Sequence, residues 1–350
     1  MQDWLSRSTA ASRGQGGGQW RRCRIGGVLL GLAAALTLGL GQPGAAQTLQ
    51  ENNEMMFREM QAARGLSDAE MARIRAIFAQ SPFIGQGNPK VTRHPMTPEQ
   101  LAAKLGQDPK AYYRNPRFER ICGEPYMAPL YDPETEKPED ARVCADMFEY
   151  PNVPGMYPVT WVRAKEAAEL CWAEGKRIGD AHEWEGAADG RLTPPDYFFG
   201  MSVQAARAAH NAKYQGSQRY TIGKEWRKGV CATGSSKTPG CNGGSFTGCG
   251  SNTYPAGSFP ACKSPLGVYD LDGNAAEHMN LPLAPDEMAS RGSRKLGVTE
   301  MKGSWFIWDK YRAHPDWCRW RAPYWHGDRV MSPRSHENYH LGFRCCKSLD

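Results

Sequence analysis

The segment GVYDLDGNAAEH, residues 267–278, sets two aspartates, an asparagine and a glutamate around two glycines. Hard oxygen donors beside a backbone free to turn its carbonyls inward suit calcium, which takes roughly six to eight oxygens in flexible geometry. The spacing is not that of an EF-hand, because the twelfth position counted from Asp270 is Leu281. On residue types alone, a solvated turn, a calcium loop and part of a catalytic pocket all stay open.

Sulfur is the second chemical resource. Past residue 46 stand Cys122, Cys144, Cys171, Cys231, Cys241, Cys249, Cys262, Cys318, Cys345 and Cys346. An even number in an exported chain points to disulfides, up to five of them. Cys231, Cys241, Cys249 and Cys262 contain no Cys-x2-Cys knuckle, which argues against zinc. His314 and His326 lie close to Cys318 in sequence and with it have the donor types of a metal site. His336 and His340 stand four apart, in what reads as a loop entering the last strand. No Gly-x-Ser-x-Gly nucleophile motif occurs, and the Gly-rich stretch 233–258 lacks the Gly-Lys-Ser/Thr ending of a phosphate loop.

The elements that must position these groups are short. Residues 1–46 have a basic patch, an apolar run and small residues at Ala45 and Ala46, the layout of a secretory signal. They carry five arginines and one aspartate, so the formal +6 falls to +2 without them (6 − 4). That balance leaves no electrostatic footprint for nucleic acid, and no later segment is apolar enough to span a bilayer. The expected product is soluble, and periplasmic or secreted. Residues 47–116 read as a helical lead-in: Ser67 with Glu70 and Thr97 with Gln100 have capping-box spacing. Segments 81–95 and 106–118 are expected as loops. Later, Thr160 is expected to cap a helix over WVRAKEAAELCWAEG that stops at Gly175, and Asp180 with Glu183 opens a second. Beyond these, short strands and long loops are expected, with 233–258 pinned by disulfides.

The fragments YPVTWVRAKEAAELCWAEGKRIGDAHEWEGAADG, GVYDLDGNAAEH, MKGSW and LGFRCC occur in the order found in the formylglycine-generating enzyme, or sulfatase-modifying factor, family. The chain resembles that family over roughly residues 140 to 348. The resemblance implies a loop-rich α+β domain of C-type-lectin-like fold, assigned here to residues 117–350. It also implies calcium bound by the side chains of Asp270 and Glu277 and the carbonyls of Gly273 and Ala275. A second family calcium site would use Asn211 and Ala212, but its downstream aspartate is not evident near residues 248–252. The family oxidises a substrate cysteine to formylglycine with two cysteines, five apart, that hold copper(I), since soft thiolates suit that ion. Here Ile307 and Arg312 occupy those positions, so copper is not expected; Cys318 is the nearby thiol, and Ser304 matches a serine beside the family's oxidising pocket. The iron-binding His-x3-His-x-Glu pattern of some relatives is missing. The resemblance further implies a Cys171–Cys345 disulfide, while Cys346 is left to pair with Cys144 or Cys318, or Cys122 with Cys144.

Two functions follow as expectations. The first is a non-catalytic module that binds an exported protein or a carbohydrate, with Trp305, Trp308, Trp317, Arg319 and Arg321 lining the former pocket as a recognition surface; on residue type, aromatics that simply pack the loops are an equal alternative. The second is an oxidoreductase with an altered site built on Cys318. A structural component of an exported assembly, docked through residues 47–116, is a third.

Overall fold

The structure is a computed structural model that describes residues 47–322 and 327–349. The segment read as an export signal, and His326, lie outside the described residues. Two helices open the described chain, α1 (Leu49–Arg64) and α2 (Asp68–Ala79). The expected capping box at Ser67 forms, with Glu70 reaching back to the Ser67 N–H at 2.7 Å. Met56, Phe57 and Met60 of α1 and Ile74 and Phe78 of α2 follow helical spacing and are buried. They do not make a core of their own. They join Ala164, Ala167, Ala168 and Cys171 of α6 (Ala164–Ala173) and Phe343 in one hydrophobic cluster. Arg64, at the end of α1, seals the seam by pairing with Glu174 at 2.5 Å and donating to the Pro151 carbonyl at 3.0 Å.

The stretch expected as loop at 106–118 holds helix instead: α4 (Pro109–Tyr112) and the start of α5 (Pro116–Cys122) follow α3 (Pro98–Leu105). Proline occupies the first turn of all three, where its missing N–H costs nothing, and Thr97, Asp108 and Asn115 cap them. The α6 boundary also differs from expectation. Trp161 adopts φ 56°, which breaks helical continuity, and Thr160 is held in a bridge to Gly85. The helix therefore starts at Ala164, with the Glu166 carboxylate accepting from the Arg163 N–H at 2.8 Å.

A four-stranded antiparallel sheet has the order β1-β2-β7-β3, with β1 (Met127–Leu130), β2 (Val143–Asp146), β3 (Arg177–Ile178) and β7 (Cys345–Ser348). A second sheet has the order β5-β4-β6: β4 (Ala276–Leu281) runs antiparallel to β5 (Val298–Lys302) and parallel to β6 (Leu341–Gly342). Helix α7 (Ala181–Asp189) begins at Asp180 as expected, and α8 (Val203–Tyr214) is a helix the periodicity reading did not find. Among the described residues four disulfides form: Cys122–Cys144, Cys171–Cys345, Cys231–Cys262 and Cys241–Cys249. Cys346 bonds to neither Cys144 nor Cys318; both Cys318 and Cys346 are free and buried. Cys144 is already taken by Cys122, and Cys346 sits on β7 against Gly179, where a Cβ would come within 2.8 Å of its sulfur.

Candidate functional site

The acidic hairpin enters β4. Gly273 has φ 124°, and a Cβ there would stand 3.0 Å from the Ala232 carbonyl, so glycine is required. Asp270, also at positive φ, turns its carboxyl inward; Oδ2 accepts from the Gly257 N–H at 2.7 Å while Oδ1 is buried without a partner. Glu277 is already engaged: Arg344 grips both of its oxygens at 2.7 Å, and Trp184 Nε1 donates at 3.0 Å. Beside them lies Glu149, which the sequence reading had not singled out. Its Oε1 accepts from the Ala275 N–H at 3.1 Å, and its Oε2 is a second buried orphan.

Three buried carboxylates thus face one guanidinium. Burial, then the nearby Asp270 and Glu277 charges, push the Glu149 carboxyl up, and burial pushes Asp270 up to about 7. Fully ionised, the group holds a net −2 (three carboxylates against Arg344), the charge a divalent cation would balance. The donor set is hard oxygen, as calcium requires. Asp270 Oδ1 and Glu149 Oε2 are the oxygens left open for such an ion, whereas both oxygens of Glu277 are held by Arg344. The Asn211 amide is closed on the Arg321 backbone, donating at 2.8 Å and accepting at 2.8 Å.

A different carboxylate group could bind a metal by geometry alone. Glu185 of α7, Asp196 and His210 of α8 bring one ligand atom each within 4.8 Å of one another. Every one of those atoms has a partner. Lys302 and Arg321 donate to Glu185 Oε1 at 2.7 and 2.8 Å, Lys213 pairs with Asp196 at 2.9 Å, and His210 faces Asp196 and the Arg319 carbonyl through its two ring nitrogens. Burial works to raise the Glu185 carboxyl, yet Arg321 and Lys302 hold it far below the usual range.

The pocket expected around Cys318 is filled. Cys318 is 1% exposed, and its N–H donates to the Arg219 carbonyl at 2.8 Å. Burial, followed by Asp272 and Asp189, pushes its thiol well above the ordinary range, so it is protonated at neutral pH. Asp272 is pushed up to about 7 and Asp316 is also pushed well up, in each case chiefly by burial; Asp272 Oδ1 and Asp316 Oδ2 are buried orphans, and Asp272 Oδ2 accepts from the Thr221 N–H at 2.8 Å. Ser304 is fully buried beside Asp316 without a well-aligned hydrogen bond, and a protonated carboxyl is no base for it.

The five residues expected to form an open recognition surface do not form one. Trp305, Trp308, Trp317, Arg319 and Arg321 are all at most 8% exposed. Ile307, at the first family cysteine position, is buried with Trp305 and Trp308 in the same cluster. His314 stacks on Trp320, ring centroids 4.9 Å apart, and burial lowers it to about 4. Arg319 and Arg321 are spent on Asp189 and Glu185. The sequence signal of aromatics and arginine is thus mostly the packing of a helix-poor region. A cavity of about 880 Å³ lies elsewhere, between α1, α3 and residues 154–157, with His94 stacked on Tyr157 in its wall.

The family model described as the sulfatase-modifying factor enzyme 1-like domain matches residues 134–349. No curated protein matches the chain. Among solved structures, a crystal structure of CarF is 18% identical, covering 56% of this chain and 69% of that one, with a TM-score of 0.29. PvdO from Pseudomonas aeruginosa is 16% identical, covering 64% and 91%, with a TM-score of 0.31. The I1 variant of the major tropism determinant is 15% identical and covers 64% of this chain and 55% of its own, with a TM-score of 0.28. At such values these likenesses carry no argument about activity.

Proposed function

From the premise that the chain belongs to the sulfatase-modifying factor family, whose C-type-lectin-like α+β fold it carries behind a helical segment, we propose that it is a binding module of the periplasm or the extracellular space, holding a protein or carbohydrate partner. The observation that carries this reading is the state of Cys318. It stands alone where the family works with a pair of sulfurs, and burial, helped by nearby carboxyls, keeps its thiol protonated. Copper(I) needs thiolates. Four disulfides support an extracytoplasmic setting, and among the described residues no helix is long and apolar enough to cross a membrane.

Calcium belongs to the same reading as a structural ion. Asp270, Glu149 and the carbonyls of Gly273 and Ala275 would hold it, with Glu277 at the edge, and its two positive charges would offset the excess of buried carboxylate. The ion would fix the hairpin that enters β4 and so stiffen the loops around it.

The test of the reading is oxidation chemistry. The full chain is supplied with one equivalent of copper(I), oxygen and a cysteine-containing peptide, and aldehyde is assayed by mass spectrometry. No aldehyde above the level of a Cys318→Ser variant is expected. Catalytic aldehyde formation that disappears in Cys318→Ser sinks the reading in favour of an altered-site oxidoreductase.

A further inference from the structure

Two exposed segments meet above the buried former pocket. Asp309 joins them: its carboxylate accepts from Trp226 Nε1 at 3.2 Å, the Gly229 N–H at 3.2 Å and Thr233 Oγ1 at 2.8 Å. Lys310 Nζ donates to Ser236 Oγ at 2.6 Å, Arg312 lies 5.7 Å over the Trp226 ring, and Lys237 lies 5.1 Å over the Tyr311 ring. Segments 222–238 and 309–312 are therefore one surface. It carries Lys224, Arg227, Lys228, Lys237, Lys310 and Arg312, all exposed, against Glu225 and Asp309, a net of +4 (6 − 2). Residues 47–350 sum to +2, so the remainder of that chain is −2 (2 − 4). The positive charge is localised, and Asp309 spends its own on neutral donors.

These cations differ in kind from those in the interior. Arg64, Arg321 and Arg344 are buried and bidentate or networked with carboxylates. Among the described residues none of the six surface cations forms an ion pair, although Arg227 donates to the Ile222 carbonyl at 3.2 Å. Tyr311, in their midst, is 54% exposed, and Trp226 is half-buried with Tyr220 at 5.2 Å. Their contacts are to neutral groups and ring faces rather than to carboxylates, so their charge is not neutralised within the fold.

We propose that this surface binds an acidic polysaccharide, a sugar polymer bearing carboxylate or sulfate groups. The proposal rests on the binding-module reading and names its partner. Four of the six cations are lysines, mobile point charges that match a repeating anion better than one fixed carboxylate. Exposed aromatic rings suit the C–H faces of pyranoses as well as the polymer's charges suit the lysines. The disulfides point to a compartment where polyanions are glycans rather than nucleic acid.

The experiment titrates the full disulfide-bonded chain with polygalacturonate and with dextran sulfate by calorimetry, in about 50 and about 300 mM salt, because exposed charge pairs are screened over roughly 10 Å at 0.1 M. Neutral dextran, poly-glutamate and phosphatidylglycerol vesicles are the comparators. Binding to the acidic sugars that falls at higher salt, with at least a tenfold loss in a Lys224→Gln, Lys228→Gln, Lys310→Gln variant of unchanged melting temperature, is expected. Tyr311→Ala should cost several-fold more for the sugars than for poly-glutamate. A Lys90→Gln, Lys137→Gln, Lys295→Gln control should bind as the parent does. No binding, or equal binding to poly-glutamate or to the vesicles, overturns the proposal. Failure here alongside absent aldehyde formation removes the surface and leaves the loss of oxidation standing; aldehyde formation removes the underlying reading whatever the polymers do.

Discussion

Two buried acidic regions of this molecule invite the same interpretation and deserve opposite ones. In the first, Glu185, Asp196 and His210 converge closely enough to hold a metal, but Arg321, Lys302 and Lys213 already stand among them. In the second, Glu149, Asp270 and Glu277 share only Arg344, and two carboxyl oxygens have no partner at all. Convergence of ligand atoms finds the first region; charge balance finds the second. A buried carboxylate needs a counter-charge or a proton: the first region has its own cations, while in the second a single guanidinium faces three carboxyls and burial raises two of them.

The largest effect is expected from breaking the balanced region. Arg321→Met removes the bidentate partner of a fully buried Glu185, and loss of one member of such a pair costs about 3–5 kcal/mol. Urea denaturation measures it, and chelators should leave the parent's network untouched. Pairing Arg321→Met with Glu185→Gln should recover part of the loss, because the stranded charge goes too. Stoichiometric metal that is lost with His210→Ala would break the comparison.

How much of this contrast was legible in the sequence depends on how local its causes are. The Ser67 and Thr97 caps, the Asp180 start of α7 and the hairpin with Gly273 were readable because each needs only residues a few positions apart. Cys171 with Cys345 lies 174 residues apart and came only through the resemblance. Glu149 could not be read from FEYPN, where nothing local marks a ligand; it matters because the Ala275 N–H reaches it across the fold. Arg344 likewise converts Glu277 from a candidate ligand into half of an ion pair. The tryptophans of 305–320 misled for the same reason: type predicts appetite for contact, and only the fold decides whether the contact is a partner or a neighbour.

The second prediction sharpens the unbalanced region. Ligand-free, Asp270 has a folded pKa of about 7 against 3.8 for the free side chain, so the folded chain holds the extra proton between those values. Its contribution is fully present below about pH 4 and is lost as pH rises toward 7. Calcium reverses that loss by pairing with the ionised form. Stabilisation by calcium should therefore be small near pH 5 and large near pH 8, reaching about 2.7 kcal/mol at a hundredfold excess over the dissociation constant and read as a rise in melting temperature. Asp270→Asn and Glu149→Gln should each abolish it. A calcium effect that is flat with pH would detach the ion from these carboxyls.

The smallest effect tests whether every unbalanced carboxyl is a cation site. Asp272 is also pushed up to about 7 by burial, with Oδ1 an orphan, yet its neighbours are the Asp316 carboxyl and the Cys318 thiol. Like Asp270, it should cost stability as pH rises from about 4 toward 7, because the folded form keeps the proton there. Asp272→Asn keeps an acceptor for the Thr221 N–H and removes the charge. A gain of about 1 kcal/mol near pH 8 is expected, well short of the full desolvation cost because that N–H prefers a charged acceptor. Near pH 5, where the parent carboxyl is already protonated, the variant should match the parent. On the proposed assignment of the ion to Asp270, calcium should shift both by the same amount. If Asp272→Asn instead removes the calcium response while Asp270→Asn spares it, the two orphans have exchanged roles, and the charge count around Arg344 is the wrong guide to where the ion sits.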